Sequence, residues 1–127
     1  MRAAQQRTAE GLPSPDLRQR TGNYLHWWAD NIAPTTVKAS TAVQYRWVLD
    51  HYVIPYIGKV QLAKLQPSHV QSMMQALEAR GLSARTRRQA RAILRRALGH
   101  AERWDLVARN AAALVDSPRL DGTVLDD

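Results

Sequence analysis

The chain has 127 residues, a formal net charge of +7 at pH 7 and no cysteine. A chain of this length predicts one compact domain with a substantial hydrophobic core. The absence of cysteine excludes a disulfide scaffold, a thiolate metal site and a cysteine nucleophile, and it is typical of a reducing cytoplasm. The apolar runs are too short to span a membrane or to form a secretion signal, so we expect a cytoplasmic protein.

The first twenty residues predict a flexible leader, because they are polar, lack apolar periodicity and contain Gly11, Pro13 and Pro15. A first helix is expected to be capped by Thr21 and to end at Pro34. Its apolar positions are Tyr24, Leu25, Trp28 and Ile32.

A second helix is predicted to follow Ser40 and Thr41, which are residue types that cap helices. Pro55 and Gly58 then close it into a turn. One side of this helix stacks Thr41, Tyr45, Val48, Leu49 and Tyr52. A connector over residues 61–66 follows, and its Leu62 and Leu65 are expected to fill the core.

A third helix is predicted to begin at Pro67, because the missing N–H of proline has no helical partner to lose there. Gly81 is the expected glycine just beyond the C-terminus of this helix. Its buried face is predicted to be Val70, Met73, Met74 and Leu77.

The fourth helix is the longest, and it is predicted to run from a Ser83 cap to about Arg103. Asn110 is expected to cap a short fifth helix that continues through Val115. Pro118 and the acidic residues after it predict the beginning of a linker over residues 118–127. The pattern as a whole predicts an all-α bundle of four to five helices over residues 21–117.

The charge imbalance lies in one segment, residues 80–103, which contains eight Arg and one Glu. Elsewhere the ten basic and ten acidic residues cancel. One face of the fourth helix collects Thr86, Ala90, Ile93, Leu94, Ala97, Ala101 and Trp104, which are predicted to pack. The opposite half carries Arg88, Arg91 and Arg95 in one stripe, Arg85, Arg96 and Arg103 in a second, and Arg87 at the border.

Two interpretations of this arginine-rich helix compete, a solvated face and a surface that meets a polyanion. A solvated helix usually intersperses acidic residues four positions away to relieve repulsion, yet residues 79–101 contain no acid. The residue type is almost entirely Arg, whose planar fork matches phosphate oxygens and guanine edges. We therefore interpret the fourth helix as a DNA-facing helix.

The ordered set of motifs resembles the core-binding domain, or SAM-like N-terminal domain, of tyrosine recombinases, the phage-type integrases. The resemblance covers about Thr21 to Arg119. It is carried by Ser40-Thr41…Tyr45, Ile54-Pro55…Ile57-Gly58, Leu65-Gln66-Pro67, Gly81-Leu82-Ser83…Arg85-Thr86 and Arg109-Asn110. It implies a compact orthogonal helical bundle that forms half of a clamp on duplex DNA.

The resemblance also implies which residues meet DNA, namely the beginnings and exposed faces of the second and fourth helices. These residues are Lys38, Ser40, Thr41, Gln44, Ser83, Arg85, Arg87, Arg88, Arg91 and Arg95. Gln44 and Arg85 are side chains that read base edges, whereas Lys38, Arg91 and Arg95 are expected at phosphates. Ser40 and Thr41 remain equally interpretable as simple helix caps.

The strand-transfer chemistry of such recombinases lies in a second, C-terminal domain with an Arg, a Lys, a His-x-x-Arg pair and a nucleophilic Tyr. His100-Ala-Glu-Arg103 fits the His-x-x-Arg pattern, but it lies inside the fourth helix and the last tyrosine is Tyr56. We therefore predict a non-catalytic DNA-binding module without metal or cofactor. The implied partners are double-stranded DNA and, if the natural chain continues, a catalytic domain, with oligomers only on DNA. The implied setting is a bacterial or phage-encoded protein at the nucleoid.

Two other functions remain open from the sequence. The first is a stand-alone helix-turn-helix regulator that uses the arginine helix for recognition. The second is a helical interaction module for an acidic partner or an anionic membrane.

Overall fold

Residues 19–118, the part of the chain described by a computed structural model, are helical apart from short connections. All but the first residue of the predicted linker, and all but the last two residues of the predicted leader, lie outside this range. Six α-helical segments occur in it: α1 (Thr21–Trp27), α2 (Ala33–Thr36), α3 (Ala39–Val48), α4 (Ile54–Ile57), α5 (Pro67–Ala79) and α6 (Ala84–Arg103). Within the same range there is no strand, and none of its helices has the length and apolar character that a membrane span requires.

Two π-helical turns, Trp28–Ile32 and Leu49–Val53, join α1 to α2 and α3 to α4. Each turn precedes a proline at the second position of the next helix, Pro34 or Pro55. Proline lacks the N–H for the usual bond and its ring clashes with the carbonyl four residues back. The wider π turn accommodates both problems, because the residue before each proline bonds five positions back, to the carbonyl of Trp28 or Leu49. The prediction that Pro34 ends the first helix is therefore wrong.

The chain has two helical runs before α5, of which the first joins α1 to α2 and the second joins α3 to α4 through the π turns. Both begin at other residues than predicted. Thr21 is the first residue of α1 rather than its cap, and its hydroxyl donates to the Val60 carbonyl at 2.9 Å. The cap position of α3 is Lys38, so Ser40 and Thr41 lie inside the first turn and make no capping bond. The cap of a helix is the last residue with extended backbone angles. For α3 this residue is Lys38, because Ala39 is already helical. Both capping predictions are wrong for that reason.

The connection from α5 to α6 agrees with prediction in detail. Gly81 has a φ of +86°, and its N–H donates to Glu78 while that of Leu82 donates to Leu77. This pair of bonds is the Schellman ending of a helix, which favours glycine at its left-handed position. The Ser83 hydroxyl then accepts the Thr86 N–H at 3.1 Å, which caps α6. The predicted Pro67 start of α5 and the Ser83 start of α6 are confirmed.

The core is centred on two aromatic residues of the first helical run that bind α6. The Tyr24 hydroxyl donates to the Ala97 carbonyl at 2.7 Å, and the Trp28 indole N–H donates to His100 Nδ1 at 3.0 Å. Trp28 also stacks on Tyr45 of α3, with ring centroids 6.0 Å apart and an interplanar angle of 9°. Three helical runs therefore meet at one fully buried tryptophan.

The packing faces of α5 and α6 follow the predicted periodicity. All four residues predicted on α5 are buried, as are five of the seven predicted on α6. Thr86 and Trp104 are half-buried, and Leu98 is an additional buried residue of α6. Asn110 caps a 3-10 turn, Ala111–Leu114, and the predicted core residues Leu62 and Leu65 are buried.

Where the chain enters the bundle, Gly22 and Gly58 lie close together. The Gly22 N–H donates to the Gly58 carbonyl at 3.0 Å, and Gly58 in turn donates to the Ile54 carbonyl at 2.9 Å. On the same side the Leu62 N–H donates to the Gln19 carbonyl at 2.8 Å, so Gln19 and Arg20 already pair with the bundle. A side chain at Gly58 has no room.

We predict opposite effects of alanine at two glycines. A Cβ at Gly58 would lie 2.6 Å from the Ile54 carbonyl oxygen, so Gly58→Ala should lower the free energy of unfolding by about 1–3 kcal/mol. At Gly99, in the interior of α6, the nearest atom would be 3.8 Å away, so Gly99→Ala should raise it by about 0.5–1 kcal/mol. Urea denaturation of both variants measures the difference, and equal effects would contradict the packing described.

The environment of His100 predicts a pH dependence of stability. Burial, followed by the charge of Arg103, lowers the pKa of His100 from its ordinary value of 6.5. The unfolded chain therefore takes up a proton more readily, so the free energy of unfolding should fall as pH drops below about 6.5. In His100→Gln, which cannot titrate, urea denaturation should show a weaker fall between pH 7.5 and 5. An unchanged pH dependence would rule out this role.

Candidate nucleic-acid interface

The solvent side of α6 is a surface of guanidinium groups. The helix has 20 residues and is therefore about 30 Å long. Its exposed arginines are Arg85, Arg88, Arg95, Arg96 and Arg103, whereas Arg87 and Arg91 are half-buried. The apolar face opposite them is locked into the core by Tyr24 and Trp28, so the arginine face must point outwards.

No acidic residue forms an ion pair with this surface within residues 19–118. The ion pairs of that range all involve one cluster, in which Arg46 contacts Asp30 at 2.6 Å and Asp50 at 3.1 Å and His26 contacts Asp50 at 2.6 Å. The guanidinium groups of the exposed arginines of α6 donate no hydrogen bond to any residue of the same range. Their charge is therefore available to a partner.

Arg87 and Arg91 have a structural role in addition. The Arg87 Nε donates to the Leu82 carbonyl at 3.2 Å, and the Arg91 Nε donates to the Val115 carbonyl at 2.7 Å. Burial, followed by the charge of Arg95, lowers the pKa of Arg91, while Asp116 acts in the opposite direction. Each of these two guanidinium groups keeps its other N–H groups for a ligand.

Four arginines line a concave surface on the C-terminal half of α6, which we call the arginine cleft. Its lining consists of Arg91, Arg95, Arg96 and Arg103 with Ala92, Gly99 and Asn110. Arg96, Arg103 and Asn110 were not among the predicted site residues. The sequence signal for Arg96 and Arg103 was the pair of small residues Ala92 and Gly99, which are seven positions apart and leave a trough between two arginine stripes.

The α3 residues predicted to meet DNA lie at the beginning of that helix. Lys38, Ser40 and Gln44 are exposed, and Thr41 is half-buried. The nearest link to α6 is the Arg96 guanidinium, which lies 6.0 Å from the ring centre of Tyr45, one turn after Thr41. Within residues 19–118 no hydrogen bond joins the side chains of these four residues to the arginines of α6.

A further arginine was missed just before α6. Arg80 donates to the Tyr56 hydroxyl at 3.0 Å and to the His51 carbonyl at 3.3 Å, and its guanidinium lies 5.4 Å from the ring centre of Tyr52. These contacts hold an exposed positive charge close to the Ser83 cap. Trp47, also exposed, stacks on His51 with ring centroids 4.1 Å apart.

Comparison with known proteins assigns the fold. The family model of the phage integrase N-terminal SAM-like domain matches residues 22–77. The solution structure of an integrase-like domain from Bacillus cereus is 30% identical in sequence, with a TM-score of 0.76 over 83% of this chain and 88% of that one. The chain belongs to the phage integrase SAM-like domain family.

Two more relatives support this membership. The solution structure of a phage integrase SAM-like domain from Moorella thermoacetica is 28% identical, with a TM-score of 0.69 over 82% of this chain and 89% of that one. An integrase from Saccharopolyspora erythraea is 26% identical over 100 residues, which are 77% of this chain but 23% of the integrase. The chain thus spans about a quarter of the length of that integrase.

In the His-x-x-Arg match of this SAM-like domain, the half-buried His100 packs against the core and Arg103 is exposed. His100 Nδ1 accepts the Trp28 indole N–H, and its ring lies 5.5 Å from that of Trp104. Arg103, at the end of the same helix, lines the arginine cleft. Among residues 19–118 there is also no group of three or more side chains that could hold a metal ion.

Proposed function

We propose that this SAM-like domain binds duplex DNA as the core-binding module of a tyrosine-type site-specific recombinase. In this role it binds the DNA, and strand-transfer chemistry belongs to another domain of the parent protein. The observation that carries the proposal is the exposed arginine face of α6, which has no acidic partner among residues 19–118. Its membership of an integrase domain family supports the same role.

The energetics of α6 favour a polyanionic partner. Arginines three and four positions apart repel each other and destabilise an isolated helix. Duplex DNA offers a regular array of phosphates, and release of its condensed counterions drives binding of such a surface. A helix of this diameter fits the major groove, where the guanidinium fork can also pair with guanine.

The N-terminal ends of α3 and α6 are proposed to contribute sequence preference and orientation. Because Ser40 and Thr41 make no capping bond, their hydroxyls are available to phosphate oxygens, and Lys38 adds a charge beside them. Gln44 and Arg85 are exposed and are the proposed base-reading residues.

Ser83 is proposed to act indirectly, by fixing the first turn of α6 and not by touching DNA. Its hydroxyl is used to cap α6, because it accepts the Thr86 N–H and donates to the Thr86 hydroxyl at 3.1 Å. The cap fixes the first turn of α6, which carries Arg85, Arg87 and the adjacent Arg88. Among the proposed contacts Arg88, Arg91 and Arg95 hold the phosphate backbone.

In the proposed assembly the catalytic domain of the same recombinase continues the clamp around DNA, and domains associate with one another only on DNA. A stand-alone helix-turn-helix regulator is less well supported, because both solved relatives are integrase-type domains. A module for an acidic protein partner would share the charge but not a preference for duplex DNA.

The proposal predicts a steep dependence of DNA affinity on salt. If six basic residues each neutralise one phosphate, the plot of log K against log salt should have a slope of about −5; these residues are Lys38, Arg88, Arg91, Arg95, Arg96 and Arg103. The double variant Arg88→Ala/Arg95→Ala should lower the magnitude of this slope by about 1.8. Fluorescence anisotropy with a labelled duplex over a salt series measures both slopes.

The matched control is Lys59→Ala/Lys64→Ala, which removes the same net charge from exposed positions outside α6. It should leave the slope nearly unchanged. Equal changes in the two double variants would mean that net charge rather than the α6 surface drives binding. A flat salt response of the unmodified protein would refute the proposed function.

A further inference from the structure

The segment after α6 folds back over the arginine cleft. Residues 110–116, which we call the terminal segment, contain the 3-10 turn Ala111–Leu114 and pack against α5 and α6. Ala111, Ala112 and Val115 are buried there. The terminal segment therefore forms one wall of the cleft through Asn110.

Two polar side chains fasten the terminal segment to α6. Asn110 donates to the Arg95 carbonyl at 2.9 Å, and its side-chain oxygen accepts the N–H groups of Ala112 and Ala113 at 3.1 and 3.2 Å. The Arg91 Nε donates to the Val115 carbonyl at 2.7 Å. Both fastening residues also line the arginine cleft.

Arg91 is thus shared between the terminal segment and the cleft. Its Nε–H points to the Val115 carbonyl, while its two terminal amino groups carry four more N–H donors. A guanidinium group can bind a carbonyl through Nε and an anion through its terminal nitrogens simultaneously, because its donors are fixed in one plane. The geometry of Arg91 permits both contacts together.

Charge around Arg91 is unbalanced. Arg88 and Arg95 on the same helix repel it, and burial adds to the cost of its charge. Asp116 on the terminal segment is the acidic group that acts on it favourably. Arg96 and Arg103, also in the cleft, add positive charge on the far side. Repulsion of this kind favours release of Arg91 into solvent, which would break its bond to Val115.

We propose that the arginine cleft binds a phosphodiester group of the DNA backbone, and that its occupancy fixes the terminal segment on α6. The cleft has a volume of about 460 Å³, which is within the size range of small-ligand sites. A bound phosphate offsets the repulsion among the arginines and so keeps Arg91 on the Val115 carbonyl. The inference rests on the proposed DNA-binding function and adds to it a coupling between DNA contact and the docking of the terminal segment.

The coupling is reciprocal. If phosphate binding stabilises the docked terminal segment, then docking of the segment must raise the affinity of the cleft by the same factor. A docked segment holds Asn110 and Arg91 at the cleft before DNA arrives, which reduces the ordering that binding requires. DNA contact on α6 thereby sets the position of the terminal segment on the bundle.

Hydrogen exchange of the terminal segment tests the coupling. The probes are the amides of Ala112 and Ala113, which bond to Asn110, and that of Val115, which bonds to Ala112. A saturating mixed-sequence DNA duplex should slow their exchange by about fivefold or more. The amides of α1 serve as the reference, because α1 packs on the core side of α6 and not at the cleft. They report any general stabilisation and should change less.

Two lysine substitutions distinguish the coupling through Arg91 from an effect of positive charge alone. Arg91→Lys keeps the positive charge but has no Nε–H for Val115, whereas Arg95→Lys makes the same change at a residue that does not contact Val115. At saturating duplex, Arg95→Lys should show the slowed exchange and Arg91→Lys should not. Protection of core amides of α5 in both free variants verifies that they are folded.

The outcomes are distinguishable. Duplex binding without slowed exchange in the terminal segment, or with faster exchange, overturns the coupling and leaves the proposed function standing. Equal protection in the two lysine variants overturns the shared role of Arg91. Failure of the unmodified protein to bind duplex at any salt overturns the proposed function and the coupling together.

Discussion

The rotation of α6 about its own axis is set by the bonds that Tyr24 and Trp28 make to Ala97 and His100. The arginines occupy about half of the circumference of α6 and an apolar face that includes Leu94 occupies the other half, so the sequence itself favours one orientation. The two buried bonds fix that orientation, because a rotated helix would leave the buried hydroxyl and indole N–H unsatisfied. Every functional proposal for the arginines depends on this orientation.

The charges of the described chain fall into two different arrangements. Around Arg46, basic and acidic side chains are paired across α1, α3 and the π turns, which is the usual condition of a solvated surface. On α6 the arginines lack such partners and some are held instead by neutral groups, such as the Val115 carbonyl and the Tyr45 ring. The contrast is consistent with a surface kept for an external polyanion, at some cost in stability that the core must offset.

Periodicity and end signals predicted much of this architecture. The helical faces of α5 and α6, the Gly81 ending and the Ser83 and Asn110 caps depend on contacts within a few residues, so the local sequence specifies them. The π turns before Pro34 and Pro55 were missed, because continuing a helix past proline depends on packing against other helices. The arginine cleft was only half predicted, since Asn110 reaches it through a tertiary bond to the Arg95 carbonyl and Arg96 is placed over the Tyr45 ring.

The proposed function requires duplex DNA to lie on the outer face of α6 and the beginning of α3. A titration of the isotope-labelled protein with duplex DNA, followed through the shifts of its backbone amides, locates that contact. The largest shifts are expected on α6 and on residues 38–44, with little change at Gln71, Gln75 and Glu78 on the exposed side of α5. Shifts concentrated on α5, or on Trp47 and its neighbours without α6, would refute this placement of the DNA.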